Sequence, residues 1–285
     1  MIKSITIGYY KVEMPLCGGI IIPALMKKIT VKDIVEMKGR ERISAITSYD
    51  YPTALLADES GFEIILVGDS AAMVVHGFED TLKIGMEEMI MHTRAVCRAV
   101  KRALVVADMP FLSYQTSERD AIENAGRFLR AGANAVKLEG GREIAHLVKK
   151  LVDYGIPVMG HIGMNPQKYN IYGGFKLQGR DKERLLEEAK ALEDAGAFSI
   201  VLEKVPYGSA KYITENISIP TIGIGAGPYT DGQILVFHDV VGLSLYRFKF
   251  ARRYVEGFSI FKEALERFKN DIKNGNFPSL EESYE

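Results

Sequence analysis

Short apolar runs alternate with longer amphipathic stretches along most of the chain. Runs rich in Val, Ile and Leu recur, and each is followed by a turn or by polar residues. Such runs are typical of parallel strands buried on both faces. The predicted strands span residues 42–49, 63–68, 103–107, 135–138, 157–160, 199–202, 220–224 and 233–237. Between most of them, helical spacing predicts helices over residues 86–101, 118–130, 142–154, 181–195 and 207–216.

Glycines separate several predicted helices from the strand that follows. Gly61, Gly132 and Gly196 stand at such junctions, where glycine tolerates the left-handed conformation that ends a helix. No linker or low-complexity tract divides the chain. We therefore predict an α/β fold in which residues 1–285 form a single domain, with a (β/α)8 TIM barrel over roughly residues 43–240 and helical additions at the N- and C-terminal ends. An open doubly wound sheet is the competing architecture, but the glycine-rich phosphate loop that it needs after the first strand is not in the sequence.

Both ends of the chain differ from this repeat. Residues 1–25 are an atypical N-terminal extension with a Gly-rich apolar patch, and this composition motivates the hypothesis that Met26 is the true start. The C-terminal tail, residues 252–285, carries apolar residues at helical spacing and then becomes polar. We expect a terminal helix that packs on the barrel or on a neighbouring molecule through Phe258, Phe261, Leu265 and Phe268.

Composition restricts the class of partner. The chain has 285 residues, of which 47% are hydrophobic, so it is long enough to bury a large core. Its 36 Lys and Arg against 37 Asp and Glu leave a formal net charge of -1. This balance gives no reason to expect a nucleic-acid or acidic-membrane partner, and small-molecule substrates are favoured instead.

Cysteine use and the N-terminal hydropathy favour the cytoplasm. The two cysteines, Cys17 and Cys97, have no paired metal-ligand or redox spacing, which argues against a disulfide scaffold or a zinc module. The apolar run at residues 18–26 is short and contains Pro23, which argues against a signal peptide or a membrane span. The sequence therefore predicts a cytoplasmic protein.

Polar side chains follow the predicted strands at the end where a barrel carries its active site. The candidates are Asp50, Asp69, Ser70, Asp108, Lys137, Glu139, His161 and Glu203. Several carboxylates in one cleft repel each other and raise each other's pKa unless a cation compensates. Because all-oxygen ligands favour a hard ion, we predict Mg²⁺ bound by Asp69, Asp108 and Glu139.

These residues also have structural explanations. An Asp after a strand is commonly a helix N-cap, and this alternative stays open for Asp50 and Asp69. Lys137 alternates with apolar neighbours, so it should face the barrel mouth, either as an ion-pair partner or as an oxyanion or carboxylate clamp. His161 is predicted either to donate a hydrogen bond to substrate or to be a satisfied structural histidine. Glu203 stands apart from the predicted metal ligands and is the candidate general base.

Two glycine-rich segments have more than one interpretation. The run from Gly223 to Gly227 would let the backbone approach a ligand closely, but tight turn geometry explains it as well. The segment at residues 172–180 is either an active-site lid or a surface loop.

The strand-end motifs together resemble one enzyme family. The motifs are Thr47-Ser48-Tyr49-Asp50-Tyr51, Val67-Gly68-Asp69-Ser70, Ala107-Asp108-Met109-Pro110-Phe111, Val136-Lys137-Leu138-Glu139-Gly140-Gly141, Gly160-His161-Ile162-Gly163, Leu202-Glu203, and Gly223 to Gly227 followed by Thr230-Asp231-Gly232-Gln233. Over roughly residues 43–240, their content and order are similar to those of ketopantoate hydroxymethyltransferase, the 3-methyl-2-oxobutanoate hydroxymethyltransferase of pantothenate synthesis.

The resemblance implies a barrel of the phosphoenolpyruvate/pyruvate type with one Mg²⁺ per subunit and 5,10-methylenetetrahydrofolate as co-substrate. It also implies a cytoplasmic homo-oligomer, commonly a decamer. Matched motif by motif, it implies metal ligation by Asp69, Asp108 and Glu139 and a proton-acceptor role for Glu203. The contacts that it implies to the oxo acid are Asp69, Ser70, Asp108 and Lys137.

The implied reaction transfers a hydroxymethyl group to 3-methyl-2-oxobutanoate and yields 2-dehydropantoate, for the synthesis of pantothenate and coenzyme A. Glu203 would remove the C3 proton, while the metal ion and Lys137 would stabilise the enolate. Residues 243–250 and the N-terminal extension depart from the family pattern, and both departures lie outside the predicted metal site.

Two other functions compete with this one. A Mg²⁺-dependent carbon–carbon lyase of the same barrel superfamily would also bind a 2-oxo acid, but such lyases usually carry a cysteine-containing loop motif. Here Cys97 lies in a predicted helix. A non-catalytic metabolite-binding barrel would keep the pocket without needing Glu203, which is present.

Overall fold

The N-terminal segment lies largely outside the residues that the structure describes. This computed structural model describes residues 27–284 and, for their backbone, residues 3–7 and 10–14. Strand β1 (Lys3–Ile7) pairs antiparallel with β2 (Tyr10–Met14). The rest of the extension predicted over residues 1–25, and the hypothesis that Met26 is the true start, fall outside the described residues.

Eight parallel strands form a closed barrel, as the apolar runs predict. The last strand pairs with the first, and the others follow in chain order. Each observed strand overlaps a predicted one, with ends that differ by a few residues. The strands are β3 (Ile43–Thr47), β4 (Ile64–Val67), β5 (Leu104–Asp108), β6 (Ala135–Glu139), β7 (Val158–Gly163), β8 (Ser199–Glu203), β9 (Thr221–Ile224) and β10 (Gly232–Leu235).

Helices surround this barrel, and the five predicted from spacing are all present. They include α4 (Met86–Ala99), α5 (Glu118–Arg130), α6 (Arg142–Asp153), α8 (Lys182–Asp194) and α9 (Tyr207–Asn216). The remaining helices are α1 (Val31–Met37), α2 (Tyr51–Glu59), α3 (Ala71–Val74), α7 (Tyr169–Tyr172), α10 (Phe237–Val240) and α11 (Gly257–Asn274), with 3₁₀ turns at Pro166–Lys168 and Leu280–Glu282. In the part of the chain that the structure describes, every helix is too short or too polar to span a membrane.

The strand register brings the ends of neighbouring strands level with one another. Asp108 on β5 lies opposite Lys137 on β6, and Glu139 on β6 lies opposite His161 on β7. Because all the barrel strands run parallel, their carboxyl ends meet at the same end of the barrel. The register therefore brings Asp108, Lys137, Glu139 and His161 together on the strands themselves.

Alternation along the strands separates two hydrophobic cores. On β6, Val136 and Leu138 belong to the outer core, which packs against helices and includes the fully buried Phe128. The barrel interior holds a second core, where Ile34 of α1 packs with residues near the strand starts such as Ile64. Helix α1 therefore covers the N-terminal end of the barrel, and the opposite end is left for chemistry.

The tail forms the predicted helix α11, but that helix does not pack on the barrel along its length. Gly257 is its only buried residue in the described chain. The apolar residues that share one face are about half exposed or more, at 50% for Phe258, 58% for Phe261, 68% for Leu265 and 49% for Phe268. The prediction that this face packs on the chain's own barrel is therefore wrong, and packing on a neighbouring molecule stays a prediction.

Asp58 joins α2 to the start of β5. Its buried carboxylate accepts hydrogen bonds from the backbone N–H groups of Lys101 (2.6 Å), Arg102 (3.0 Å) and Ala103 (2.7 Å). We expect Asp58→Ala to lower the free energy of unfolding by about 2–5 kcal/mol, because these donors lose their acceptor together. Urea unfolding followed by circular dichroism measures the loss. The exposed Asp153→Ala control should stay within about 0.5 kcal/mol of wild type, and equal stability of the two variants would contradict this role.

Candidate active site

A cavity of about 530 Å³ opens at the carboxyl ends of the barrel strands. This volume lies in the range typical of small-molecule sites. The predicted residues that line it are Asp69, Ser70, Asp108, Lys137, Glu139, His161 and Glu203. The fold therefore brings these side chains together, while their chemical roles stay predictions.

Of the two residues that could be helix N-caps, Asp50 is one and Asp69 is not. Asp50 is exposed and caps α2, where its Oδ1 accepts a hydrogen bond from the backbone N–H of Thr53 at 2.9 Å. It does not line the cavity. The N-cap of α3 is Ser70, not Asp69, and the Oγ of Ser70 lies 2.8 Å from the hydroxyl of Tyr49. Asp50 is thus a local structural residue, and Asp69 is free for the cavity.

A buried ion pair joins Lys137 to the acids. Its Nζ lies 2.7 Å from Oδ1 of Asp108 and 3.9 Å from Oε1 of Glu139, and all three residues are almost fully buried. Burial alone would lower the pKa of Lys137, but the two carboxylates outweigh it and raise that pKa. The charged form of Lys137 is therefore favoured. Its predicted orientation into the barrel mouth is confirmed, and contact with a substrate stays a prediction.

One ammonium group does not balance the carboxylates around it. Burial, Asp108 and Glu139 raise the pKa of Asp69 well above its ordinary value. Burial also raises the pKa of Asp108, although Lys137 opposes this. The Oε1 atom of Glu139 is buried and has no hydrogen-bond partner among the described residues. A further cation at this position would therefore be stabilised electrostatically.

The donor chemistry of the acids fits a hard divalent ion. Among the described residues, no three His, Cys, Asp or Glu side chains are placed to enclose a metal ion on their own. Mg²⁺ commonly takes only one or two protein carboxylates and completes its octahedron with water or substrate oxygens. Two features fit such an ion: Oε1 of Glu139 has no hydrogen-bond partner among the described residues, and the pKa of Asp69 is raised.

His161 lies between two carboxylates. Its Nδ1 is 3.5 Å from Oε1 of Glu139, and its Nε2 is 3.4 Å from Oε2 of Glu203. Burial and Lys137 would lower its pKa, but Glu139 and Glu203 overcome them and raise the pKa of His161 to about 9. The ring therefore lies between a candidate metal ligand and the candidate base, close enough to each carboxylate for a charge–charge interaction but with no hydrogen bond from Nε2 among the described residues.

Gln167 donates hydrogen bonds to two of the candidate metal ligands, although the sequence did not point to it. Its backbone N–H donates to Oε2 of Glu139 at 3.0 Å, and its Nε2 donates to the carbonyl of Met109 at 2.9 Å and to Oδ2 of Asp69 at 3.4 Å. The hydroxyl of Tyr114 donates to its Oε1 at 2.9 Å. Gln167 lies a few positions after β7, so inspection of the whole loop instead of the first residue after the strand would have found it.

An aromatic wall, formed by Phe175, Phe248 and Phe250, lines the same cavity. The Nζ of Lys204 lies 5.0 Å, 5.7 Å and 5.5 Å from the centroids of these three rings, in that order. Gly225 has a φ of 64°, and a Cβ there would approach the ring of Phe250 to 3.2 Å. The glycine-rich segment from Gly223 to Gly227 therefore allows close packing against the wall. The other glycine-rich segment, residues 172–180, lies at the cavity through Phe175.

The fold and this site define a class, a TIM-barrel enzyme with an acid-rich site for a small molecule. Within that class, the chain belongs to the ketopantoate hydroxymethyltransferase family, whose model matches residues 28–280. The family resemblance of the strand-end motifs is thereby confirmed.

Relatives agree with this family. A 3-methyl-2-oxobutanoate hydroxymethyltransferase of Thermococcus kodakarensis is 53% identical over 263 residues, which cover 91% of this chain and 93% of the relative. One of Caldivirga maquilingensis is 54% identical over 258 residues, which cover 90% of this chain and 97% of the relative.

Solved structures with low sequence identity share the fold. Phosphonopyruvate hydrolase, in a complex with oxalate and Mg²⁺, has a TM-score of 0.61 at 14% identity and covers 90% of this chain and 93% of its own. A 2,3-dimethylmalate lyase of the PEP mutase/isocitrate lyase superfamily has a TM-score of 0.59 at 17% identity and covers 88% of both chains. The lyase alternative therefore has fold similarity alone, whereas the transferase prediction has family membership.

The position of His161 predicts a pH-dependent stability. Its pKa is about 9 in the folded protein and about 6.5 in an unfolded chain. Its contribution is thus fully present below about pH 6.5 and is lost as the pH rises through about 9. We expect the stability difference between wild type and His161→Gln, both in EDTA, to shrink by about 3 kcal/mol between about pH 6 and about pH 10.

Urea unfolding at a series of pH values measures this difference. The exposed His146→Gln variant serves as the matched control, because it removes a histidine outside the cavity. A difference between wild type and His161→Gln that does not change with pH would contradict the charged bridge.

Proposed function

We propose that this protein transfers a hydroxymethyl group from 5,10-methylenetetrahydrofolate to 3-methyl-2-oxobutanoate and forms 2-dehydropantoate, for the synthesis of pantothenate and coenzyme A. The observation that carries the proposal is the cavity in which the acids and Lys137 face Glu203 across His161. The names of relatives that are 53% and 54% identical to this chain support it.

Asp69, Asp108 and Glu139 are the residues that would hold one Mg²⁺ per subunit. When bound, the ion supplies a Lewis acid that polarises the oxygens of the oxo acid. Lys137 lies beside these acids and is positioned to stabilise negative charge that develops on the same oxygens. Ser70, Asp69 and Asp108 are the further proposed contacts to the oxo acid.

Glu203 is the proposed base. It ends β8, lines the cavity and is more exposed than the other acids there, with 15% of its side chain accessible. A carboxylate in this position can accept the C3 proton of the oxo acid, a role that contributes on the order of 10²–10⁴ in rate. The ring of His161 lies beside Glu203, with its Nε2 3.4 Å from Oε2 of Glu203, and Lys137 is placed to stabilise the carbanion charge as it moves to oxygen.

The activity test combines product formation with a half-reaction. Purified protein with Mg²⁺, 3-methyl-2-oxobutanoate and methylenetetrahydrofolate should yield 2-dehydropantoate, and EDTA should abolish the yield. In the Glu203→Gln variant we expect C3 hydrogen–deuterium exchange, followed by NMR in D₂O without folate, to slow by about 10²–10⁴, because an amide does not accept the proton.

The exposed Glu263→Gln variant of α11 is the matched control and should exchange at the wild-type rate. Exchange at the wild-type rate in Glu203→Gln would remove Glu203 from the base role. Absence of product from folded wild type supplied with Mg²⁺ would reject the transferase function itself.

We also propose that the protein is a cytoplasmic homo-oligomer of decameric size that needs no nucleic-acid or membrane partner. The exposed apolar face of α11 supports self-association, because Phe261, Leu265 and Ile272 lie on it and are each at least half exposed. A second copy of the chain is the proposed cover for this face.

The double variant Phe261→Asp, Leu265→Asp should therefore sediment as a smaller species than wild type, because burial of two carboxylates in the interface is unfavourable. Analytical ultracentrifugation measures the mass. Arg267→Asp with Asn270→Asp adds the same groups to another face of α11 and should keep the wild-type mass. A wild-type mass for the first variant would contradict self-association through this face.

A further inference from the structure

The cavity has more space than the oxo acid requires. Its acidic floor, formed by Asp69, Asp108 and Glu139, is the proposed site of a small branched oxo acid. The remaining lining is largely apolar and includes Leu243, Leu245 and Tyr246 together with the aromatic wall. These residues follow α10 and come from a part of the chain that the catalytic proposal does not use. A volume of about 530 Å³ is of the size that accommodates a second, larger ligand beside the first.

Asp239 lies in this second part of the cavity and has no assigned task. It belongs to α10, lines the cavity and is only 6% exposed. Its Oδ1 atom is buried and has no hydrogen-bond partner among the described residues. An unpaired carboxylate oxygen in such a position is costly, so its presence fits a ligand that brings its own donors.

The nearby arginine does not satisfy Asp239. The guanidinium of Arg253 donates to the backbone carbonyls of Ser244 and Tyr246 and to the carboxylate of Glu256. These bonds hold the segment after α10 in place, and Oδ1 of Asp239 has no hydrogen-bond partner among the described residues. Burial raises the pKa of Asp239, although Ser244 and Arg253 oppose this.

A reduced pterin has the complementary chemistry. Its 2-amino group and its N3–H form an edge with two parallel N–H donors, which a carboxylate can accept in a bidentate arrangement. Its flat ring gains from stacking on aromatic side chains. The oxo acid offers neither feature, because it carries oxygens and alkyl groups.

We propose that Asp239 and the aromatic wall form the subsite for the pterin ring of the folate co-substrate, in which the Asp239 carboxylate accepts hydrogen bonds from the 2-amino group and N3–H. The inference rests on the proposed function, because it names residues that would hold the second substrate of that reaction. It places the one-carbon donor above the acidic floor, within the same cavity as Glu203.

The test compares two ligands that differ at one group. Isothermal titration calorimetry in Mg²⁺ and 3-methyl-2-oxobutanoate would measure binding of a tetrahydropterin and of its 2-oxo analogue, which lacks the 2-amino donor. Wild type should prefer the tetrahydropterin by about 10- to 100-fold, because a hydrogen bond to a charged acceptor is lost with the 2-oxo analogue. The Asp239→Asn variant should lose this preference.

Controls separate recognition from folding. Phe248→Leu should weaken both pterins by a similar factor and keep the preference, because it removes stacking and leaves the carboxylate. The exposed Asp153→Asn variant should behave as wild type. Since the ligand comparison on wild type needs no variant, equal affinity for the two pterins would overturn the inference even if Asp239→Asn failed to fold.

Product formation distinguishes the two levels of failure. Wild type that forms 2-dehydropantoate but binds both pterins equally would reject the Asp239 subsite and leave the transferase function standing. Folded Asp239→Asn that still prefers the tetrahydropterin to its 2-oxo analogue would also reject the Asp239 subsite and leave the transferase function standing. Wild type that forms no 2-dehydropantoate would reject both.

Discussion

The site depends on the cost of placing charged side chains in the buried interior of a closed barrel. At a low effective dielectric, the 2.7 Å contact of Lys137 with Asp108 is strongly favourable and the proximity of Asp69 to other acids is unfavourable. Removal of one partner from such a pair leaves an uncompensated buried charge. The histidine that stays protonated and the hydrogen bonds from Gln167 both act on the same problem, since each brings positive charge or N–H donors to Glu139.

The barrel stabilises this arrangement because the strand register fixes the positions of the charged side chains. Lys137 and Glu139 sit on one strand with the same orientation, and Asp108 and His161 lie opposite them on the two neighbouring strands. Both hydrophobic cores hold these strands, one from the helices outside and one from within. Electrostatic balance and packing therefore reinforce each other, and the charged groups need no flexible loop to meet.

Sequence patterns predicted the parts of the molecule that follow from local periodicity. The apolar runs located the strands, alternation around Lys137 gave its direction, and the spacing in residues 252–285 gave helix α11. Gln167 and Asp239 escaped because their roles depend on how loops and a short helix return to the barrel, which no local period encodes. The partner of α11 was left open for the same reason. The role of Asp50 was ambiguous because a helix N-cap and a strand-end ligand have the same sequence appearance.

The cavity has two parts that are held in place by different elements of the fold. Its acidic floor is fixed by the strands, so a substitution there disturbs the charge balance of several neighbours at once. Its aromatic wall comes from loop segments, in which Phe248 and Phe250 belong to the stretch that departs from the family pattern. A change in the wall leaves the acidic residues of the floor in place, so exchange of the segment at residues 243–250 between relatives would alter co-substrate preference and keep the proposed base.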